Sequence, residues 1–210
     1  MNHITRPSTP VPVPAVARLC RALDAAFDDC DGAADPTSRA AFASVVRAAL
    51  AEAAADPALL LPSHREDHAD SYRRHLLAAD PYGRYALAAL VWQPGQTSPI
   101  HAHHTWCGYA VVAGTLAETV YAWDANSHCA IETRTLLRPA GAVSFTRAGH
   151  TGIHRLGNPA SVGTDADASP AVSLHLYGVC GTRIATHVND IVRIAGAPVA
   201  AHGTTQTESA

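Results

Sequence analysis

The sequence contains no lysine; all 15 of its basic residues are arginine. Charge of either sign is sparse, with charged side chains at 16% and a formal net charge of -3. With no cationic run to neutralise a row of phosphates, a nucleic-acid or anionic-membrane partner is not expected. Long apolar runs are also missing: no stretch approaches the roughly 20 residues that a membrane-crossing helix requires. Residues 1–14 lack the apolar segment of a signal peptide. Cysteines are few and odd in number: Cys20, Cys30, Cys107, Cys129 and Cys180, with no close pairing. A secreted disulfide framework is not supported, and a reducing compartment fits better. Together these absences predict a soluble cytoplasmic protein.

Hydrophobic residues make up 48% of 210 residues, enough for one domain with a real core. Residues 1–14, with Pro7, Pro10, Pro12 and Pro14, read as an extended lead-in. From 15 to about 31, Val16, Leu19, Cys20, Leu23, Ala26, Phe27 and Cys30 form the stripe of an amphipathic helix, broken by Asp31-Gly32. Pro36-Thr37-Ser38 offers a cap for a second helix through about Ala55, with Phe42, Val45, Val46 and Ala49 on one face. Residues 15–69 are thus expected to be a helical segment packing on a β domain C-terminal to it. Strand-like runs appear at 85–92, 107–113, 116–123, 131–137, 142–146, 171–177 and 186–194. Short, closely spaced strands over 70–196 predict a mainly β domain, a small barrel or jelly roll. Residues 157–170 read as a polar loop and 197–210 as a disordered tail.

Chemistry concentrates in Gly95-Gln-Thr-Ser-Pro-Ile-His101-Ala-His103. In a strand, residues two apart project to one face, so His101 and His103 can offer two imidazoles to one ion. His154, followed by Asn158, is the best third ligand, while His104 faces the other way. Further on, Ser173, His175 and Tyr177 share one face of a strand whose other face carries Leu174 and Leu176. Buried, such polar groups need partners; a relay ending in a phenol at the metal provides them, and a solvent-facing polar edge is the alternative.

Gly95, His101, His103 and Gly114, with His154 and Asn158, resemble the two cupin motifs, except that Cys107 stands where the first motif has an acid. Three neutral imidazoles and no carboxylate leave the full charge of a divalent ion, which favours an anionic ligand such as a thiolate. Zinc could use the same ligands. The segment 170–177, with Gly114-Thr-Leu-Ala-Glu118-Thr119 and Gly152-Ile-His154-Arg155, is very similar to thiol dioxygenases, the cysteine dioxygenase family. The resemblance covers about Tyr72 to Tyr177 and implies a cupin barrel, on which the N-terminal helices read above would pack, with Fe(2+) on His101, His103 and His154, and a small thiol with O₂ as substrates.

It also implies catalytic roles for Tyr177, His175 and Ser173. In mammalian members a Cys at the position of Cys107 forms a thioether with the Tyr, so a Cys107–Tyr177 crosslink is expected. Tyr72-Arg73-Arg74 resembles the family's Tyr-x-Arg segment, in which Arg binds the cysteine carboxylate. Arg74, with Tyr72 beside it, takes that place; a surface salt bridge is its other reading. 3-Mercaptopropionate dioxygenases usually carry Gln there, which favours L-cysteine and cysteine sulfinic acid as the product. His103-His-Thr-Trp106 resembles the mercaptopropionate branch instead, and Arg183 is its candidate carboxylate clamp. A metal-binding cupin without catalysis and a zinc hydrolase or isomerase complete the alternatives.

Overall fold

A computed structural model describes residues 13–30, 32–159 and 169–194. The expected disordered tail at 197–210, most of the lead-in, the helix-breaking Asp31 and the centre of the 157–170 loop lie outside the described residues.

Helix α1 runs Pro14–Asp28 and buries Ala15, Val16, Leu19, Leu23 and Ala26. Proline in its first turn carries no amide hydrogen to leave unsatisfied. The expected cap at Pro36–Ser38 is a separate 3-10 turn, pinned by the Asp35 carboxylate accepting from the Thr37 amide at 2.9 Å. Helix α2 comes next over Ala40–Ala55 and buries Phe42, Val46, Ala49, Leu50 and Ala53. No helix among the described residues is long and apolar enough to cross a membrane.

Among the described residues ten strands succeed the helices: β1 Arg73–Ala79, β2 Ala86–Trp92, β3 His101–His103, β4 Cys107–Ala113, β5 Thr115–Asp124, β6 Cys129–Pro139, β7 Val143–Thr146, β8 Gly149–Gly157, β9 Ala171–Tyr177 and β10 Asn189–Ile191. They form two five-stranded sheets, ordered β1-β2-β9-β4-β7 and β10-β3-β8-β5-β6. Neighbouring strands in both sheets are antiparallel. This is the expected mainly β architecture, two antiparallel sheets with two helices at the N-terminal end. The long strand expected at 186–194 is corrected to three paired residues, preceded by a 3-10 turn at Gly181–Arg183. β1 and β8 carry no clean apolar alternation and were not among the expected strands.

Alternation on β2 and β9 separates two cores. Leu87, Ala89 and Val91 of β2 and Leu174 and Leu176 of β9 pack with α1 and α2. Ala88, Leu90 and Trp92 face the barrel interior with Tyr109, Leu116 and Leu156. Where α2 crosses β4, a Cβ on Gly108 would stand 2.9 Å from Leu50 Cδ1 and 3.2 Å from Val46 Cγ1, so any larger residue there would require these side chains of α2 to shift. Phe42 stands edge-on to Trp106 with ring centroids 5.2 Å apart, tying α2 to the β3–β4 connection. Gly114, between β4 and β5, has φ +73°, and a Cβ there would also meet Ala171 Cα at 3.0 Å.

Candidate metal centre

β3 is only three residues long but is flanked on both sides, by β8 and by β10. His101 and His103 share its inward face, and His101 is the direct cross-strand partner of His154 on β8. Directly paired residues of an antiparallel ladder project the same way. The three imidazole rings accordingly converge, with centroids 5.0, 4.8 and 5.0 Å apart. One ring nitrogen from each lies within 4.8 Å of the others. His154 lies on a strand of its own, where the sequence had placed it between a strand and a loop. His104 is exposed, turned away from the other three.

The nitrogens of these rings fit a divalent ion. Nδ1 of His101 meets the Pro99 carbonyl at 2.9 Å, and Nδ1 of His154 meets Glu118 Oε1 at 2.8 Å. Both contacts leave Nε2 as the free donor atom. Both nitrogens of His103 are buried, and neither makes a well-formed hydrogen bond with the described residues. Such a group is costly to bury, and a bound cation supplies the missing partner. Burial, and then the neighbouring His154, push His101 down to about 4 and His103 down to about 2. Both are neutral at pH 7, the form that binds metals.

Glu118 was matched in sequence only as part of a similar segment; the structure gives it a definite job. Burial is the largest single influence and opposes its charge, but the hydrogen bond and charge of His154, the Tyr109 hydroxyl and the Arg138 guanidinium together outweigh it and hold its carboxyl below the usual range. Arg138 Nε lies 3.3 Å from Glu118 Oε2 and donates to the Tyr109 hydroxyl at 3.0 Å. The carboxylate fixes the His154 tautomer, the device by which ligating histidines are commonly oriented. Its partners are far away along the chain, so no local motif could have announced them.

Ser173, His175 and Tyr177 are all buried on β9, which rules out the solvent-facing edge. Trp92 Nε1 donates to Ser173 Oγ at 2.8 Å, and Ser173 Oγ lies 2.9 Å from His175 Nε2. Indole can only donate. The arrangement that uses every group has the serine proton donated to Nε2, leaving the His175 proton on Nδ1. The His175 and Tyr177 rings stack with centroids 5.8 Å apart. Burial holds His175 well below its ordinary pKa and pushes the Tyr177 phenol up. Both are therefore neutral at pH 7. Trp92 was not foreseen as part of this chain.

Cys107 on β4 is the direct cross-strand partner of Tyr177, and the two share one small buried cluster with Val188. Burial pushes its thiol up to about 12, so it stays protonated.

Arg74 lies within β1, not upstream of the first strand as the sequence suggested. Its Nη1 donates to the Ile184 carbonyl at 3.2 Å, while its Nε is buried with no partner among the described residues. Its guanidinium carbon stands 5.8 Å from the Tyr177 ring and 5.9 Å from the Tyr72 ring. Among the described residues it has no carboxylate partner, in contrast to Arg73, which lies 3.4 Å from Glu66. Tyr72, Arg74, Cys107, His175 and Tyr177 line one pocket with the three metal-facing histidines. Arg183 is exposed and does not line it. Trp106 packs into the helical layer between Phe42 and Phe145 and does not line it either. A larger cavity of about 510 Å³ lies behind Trp106, and its guanidinium, Arg84, is already committed to Asp80 and Asp24.

The chain is similar over part of its length to several solved structures. One is TT1209 from Thermus thermophilus, at 18% identity over 54% of this chain and 89% of that chain, with a TM-score of 0.40. Another is a cupin superfamily protein from Desulfitobacterium hafniense, at 13% identity over 57% and 89%, TM-score 0.39. A cupin 2 conserved barrel domain protein from Salinispora arenicola matches at 18% identity over 56% and 84%, TM-score 0.39. The family described as Cysteine dioxygenase type I matches residues 63–185, which takes in the whole constellation from Arg74 to Tyr177. That match spans more than half of the chain, and the protein belongs to the cysteine dioxygenase type I family.

Proposed function

We propose that this protein adds both atoms of O₂ to the thiol sulfur of L-cysteine, giving cysteine sulfinic acid, with ferrous iron held by His101, His103 and His154. The observation that carries this reading is Arg74. A guanidinium whose buried Nε has no partner among the described residues, and which has no carboxylate beside it among them, stands in the same pocket as three converging imidazoles. A small acid bearing a thiol satisfies both ends at once. The family match supports thiol dioxygenation over a purely structural metal site or a zinc hydrolase.

The ion, when bound, would lower the pKa of the thiol and provide open positions where it meets O₂. The remaining work falls to side chains. Arg74 holds the substrate carboxylate with paired hydrogen bonds, which a planar guanidinium makes and an ammonium does not. Tyr177, kept protonated by burial, presents its hydroxyl beside that guanidinium and donates a hydrogen bond to the reacting oxygen. Ser173 fixes the His175 ring, whose Nδ1 proton is then available toward the pocket. Leu90, Leu156 and Trp92 line the pocket and exclude water from it. The sulfur is oxidised by four electrons and O₂ is reduced by four, so no further reductant is needed. Cys107 is the cross-strand partner of Tyr177, and a thioether between them would lock the phenol in position.

The test is anaerobic ferrous loading followed by oxygen uptake with cysteine and 3-mercaptopropionate, with isotopically labelled O₂ and mass analysis of the product. Cysteine should consume one O₂ per molecule and gain two labelled oxygens. Faster turnover of 3-mercaptopropionate would move the assignment to that acid, the reading favoured by the His103–Trp106 segment. Iron-loaded protein that consumes no O₂ with either thiol would overturn the proposal.

A further inference from the structure

We infer that Asn189 is the residue with which the pocket recognises the amino group of its substrate, an inference that rests on the thiol-acid reading above. Asn189 lies on β10, outside the family-matched residues 63–185. It is the direct cross-strand partner of His103, so its side chain projects with that imidazole into the pocket that both residues line. β10 and β1 are the edge strands of the two sheets, so Asn189 and Arg74 reach the same pocket from different sheets.

Whether the amine is free or held by the ion, its N–H groups find few acceptors among the side chains of the pocket. Among the described residues no aspartate or glutamate lines it. Arg74 repels an amino group and attracts the carboxylate. Ser98 Oγ donates to the Pro99 carbonyl and accepts from the Leu156 amide, both at 3.0 Å. Ser173 is committed to Trp92 and His175. Tyr72 and Tyr177 flank Arg74 at the carboxylate end. The Asn189 carboxamide makes no side-chain hydrogen bond with the described residues and is only half-buried. Its oxygen is the acceptor left for an N–H of the substrate. Of the two candidate acids, only cysteine carries that N–H, so Asn189 adds to the preference for cysteine.

The test compares wild type with Asn189→Leu, which removes the acceptor at similar size, and Asn189→Asp, which keeps an oxygen in place. Each iron-loaded protein is assayed for kcat/KM with cysteine and with 3-mercaptopropionate, and binding of each thiol is measured by calorimetry under argon. One neutral hydrogen bond corresponds to about a three- to tenfold loss. Asn189→Leu should lose that factor for cysteine in both kcat/KM and affinity. Its 3-mercaptopropionate values should stay within about twofold, since that acid makes no such bond. Asn189→Asp should keep the cysteine preference. Equal losses for both thiols, no loss for either, or an Asp variant that discriminates no better than Leu would overturn the role of Asn189. Wild-type protein that oxidises neither thiol would instead overturn the thiol reading, a separate outcome visible before any variant is made.

Discussion

Glu118→Gln tests whether the metal centre is built as described. The substitution keeps the size of the side chain and removes one charge. In the wild type, one carboxylate oxygen holds His154 Nδ1 at 2.8 Å, and the other faces Arg138 Nε at 3.3 Å. A glutamine can serve only one of the two, because its NH₂ opposes either the Arg138 N–H or the His154 N–H. His154 is then less firmly oriented and less basic toward a cation. Loss of such a partner typically costs 10- to 100-fold in metal affinity, which is about 1.4–2.7 kcal/mol. Competition with a chromogenic chelator, using cobalt or anaerobic ferrous ion, reads this directly. Circular dichroism and a melting curve of the metal-free protein check that the fold survives. A Gln variant that melts like wild type and binds the ion within about twofold would refute the carboxylate–imidazole–metal arrangement.

Arg74→Gln should raise the KM for cysteine by roughly 10- to 100-fold, the worth of a charge-assisted pair; steady-state oxygen uptake measures it, and an unchanged KM removes Arg74 from the pocket's function. Aerobic turnover with iron and cysteine should lower the intact mass by two hydrogens as Cys107 and Tyr177 join, and Cys107→Ala should abolish that change; an unaltered wild-type mass excludes the crosslink. Arg84→Ala should cost about 3 kcal/mol in denaturant unfolding at pH 7, because it strands the buried Asp80 carboxylate, which Arg84 Nη2 meets at 2.8 Å. Burial opposes the Asp80 charge, but the Arg84 hydrogen bonds win and hold its carboxyl below the usual range. A depressed folded pKa means that this stability is present above the unfolded value, near 4, and is lost as pH falls through the folded one. The difference between wild type and Arg84→Ala should therefore shrink in acid, and a gap that persists unchanged there would count against the pairing.

Much of the site was legible because its logic is a period of two. His101 and His103, and then Ser173, His175 and Tyr177, declare their shared faces through the residues between them. The helices were legible for the corresponding reason at a period of 3.6. What escaped lacked a local period. β1 is Arg73-Arg-His-Leu-Leu-Ala-Ala, with no alternation, and it holds its place by pairing with β2. β8 contains Gly149, His150, Thr151 and Gly152, so its register shows only in its pairing with β3 and β5. Glu118, Trp92 and Asn189 act through partners fixed by tertiary pairing, and Asn189 lies where a long strand was expected and a short one forms. The three-residue β10 was over-read because Val, Ile and Thr occur throughout 184–194, although much of that segment is exposed.

β9 offers Leu174 and Leu176 to the helical layer, while Ser173, His175 and Tyr177 look inward. Fold and reactivity therefore share one short strand. Deleting or inserting one residue in this stretch would turn the leucines onto the imidazole cluster and thrust a hydroxyl, an imidazole and a phenol among Leu19, Leu23 and Phe42. Transplanting the reactive half of the barrel into another scaffold would therefore require carrying α1 and α2 along, since a scaffold without them would leave the outer leucines in water.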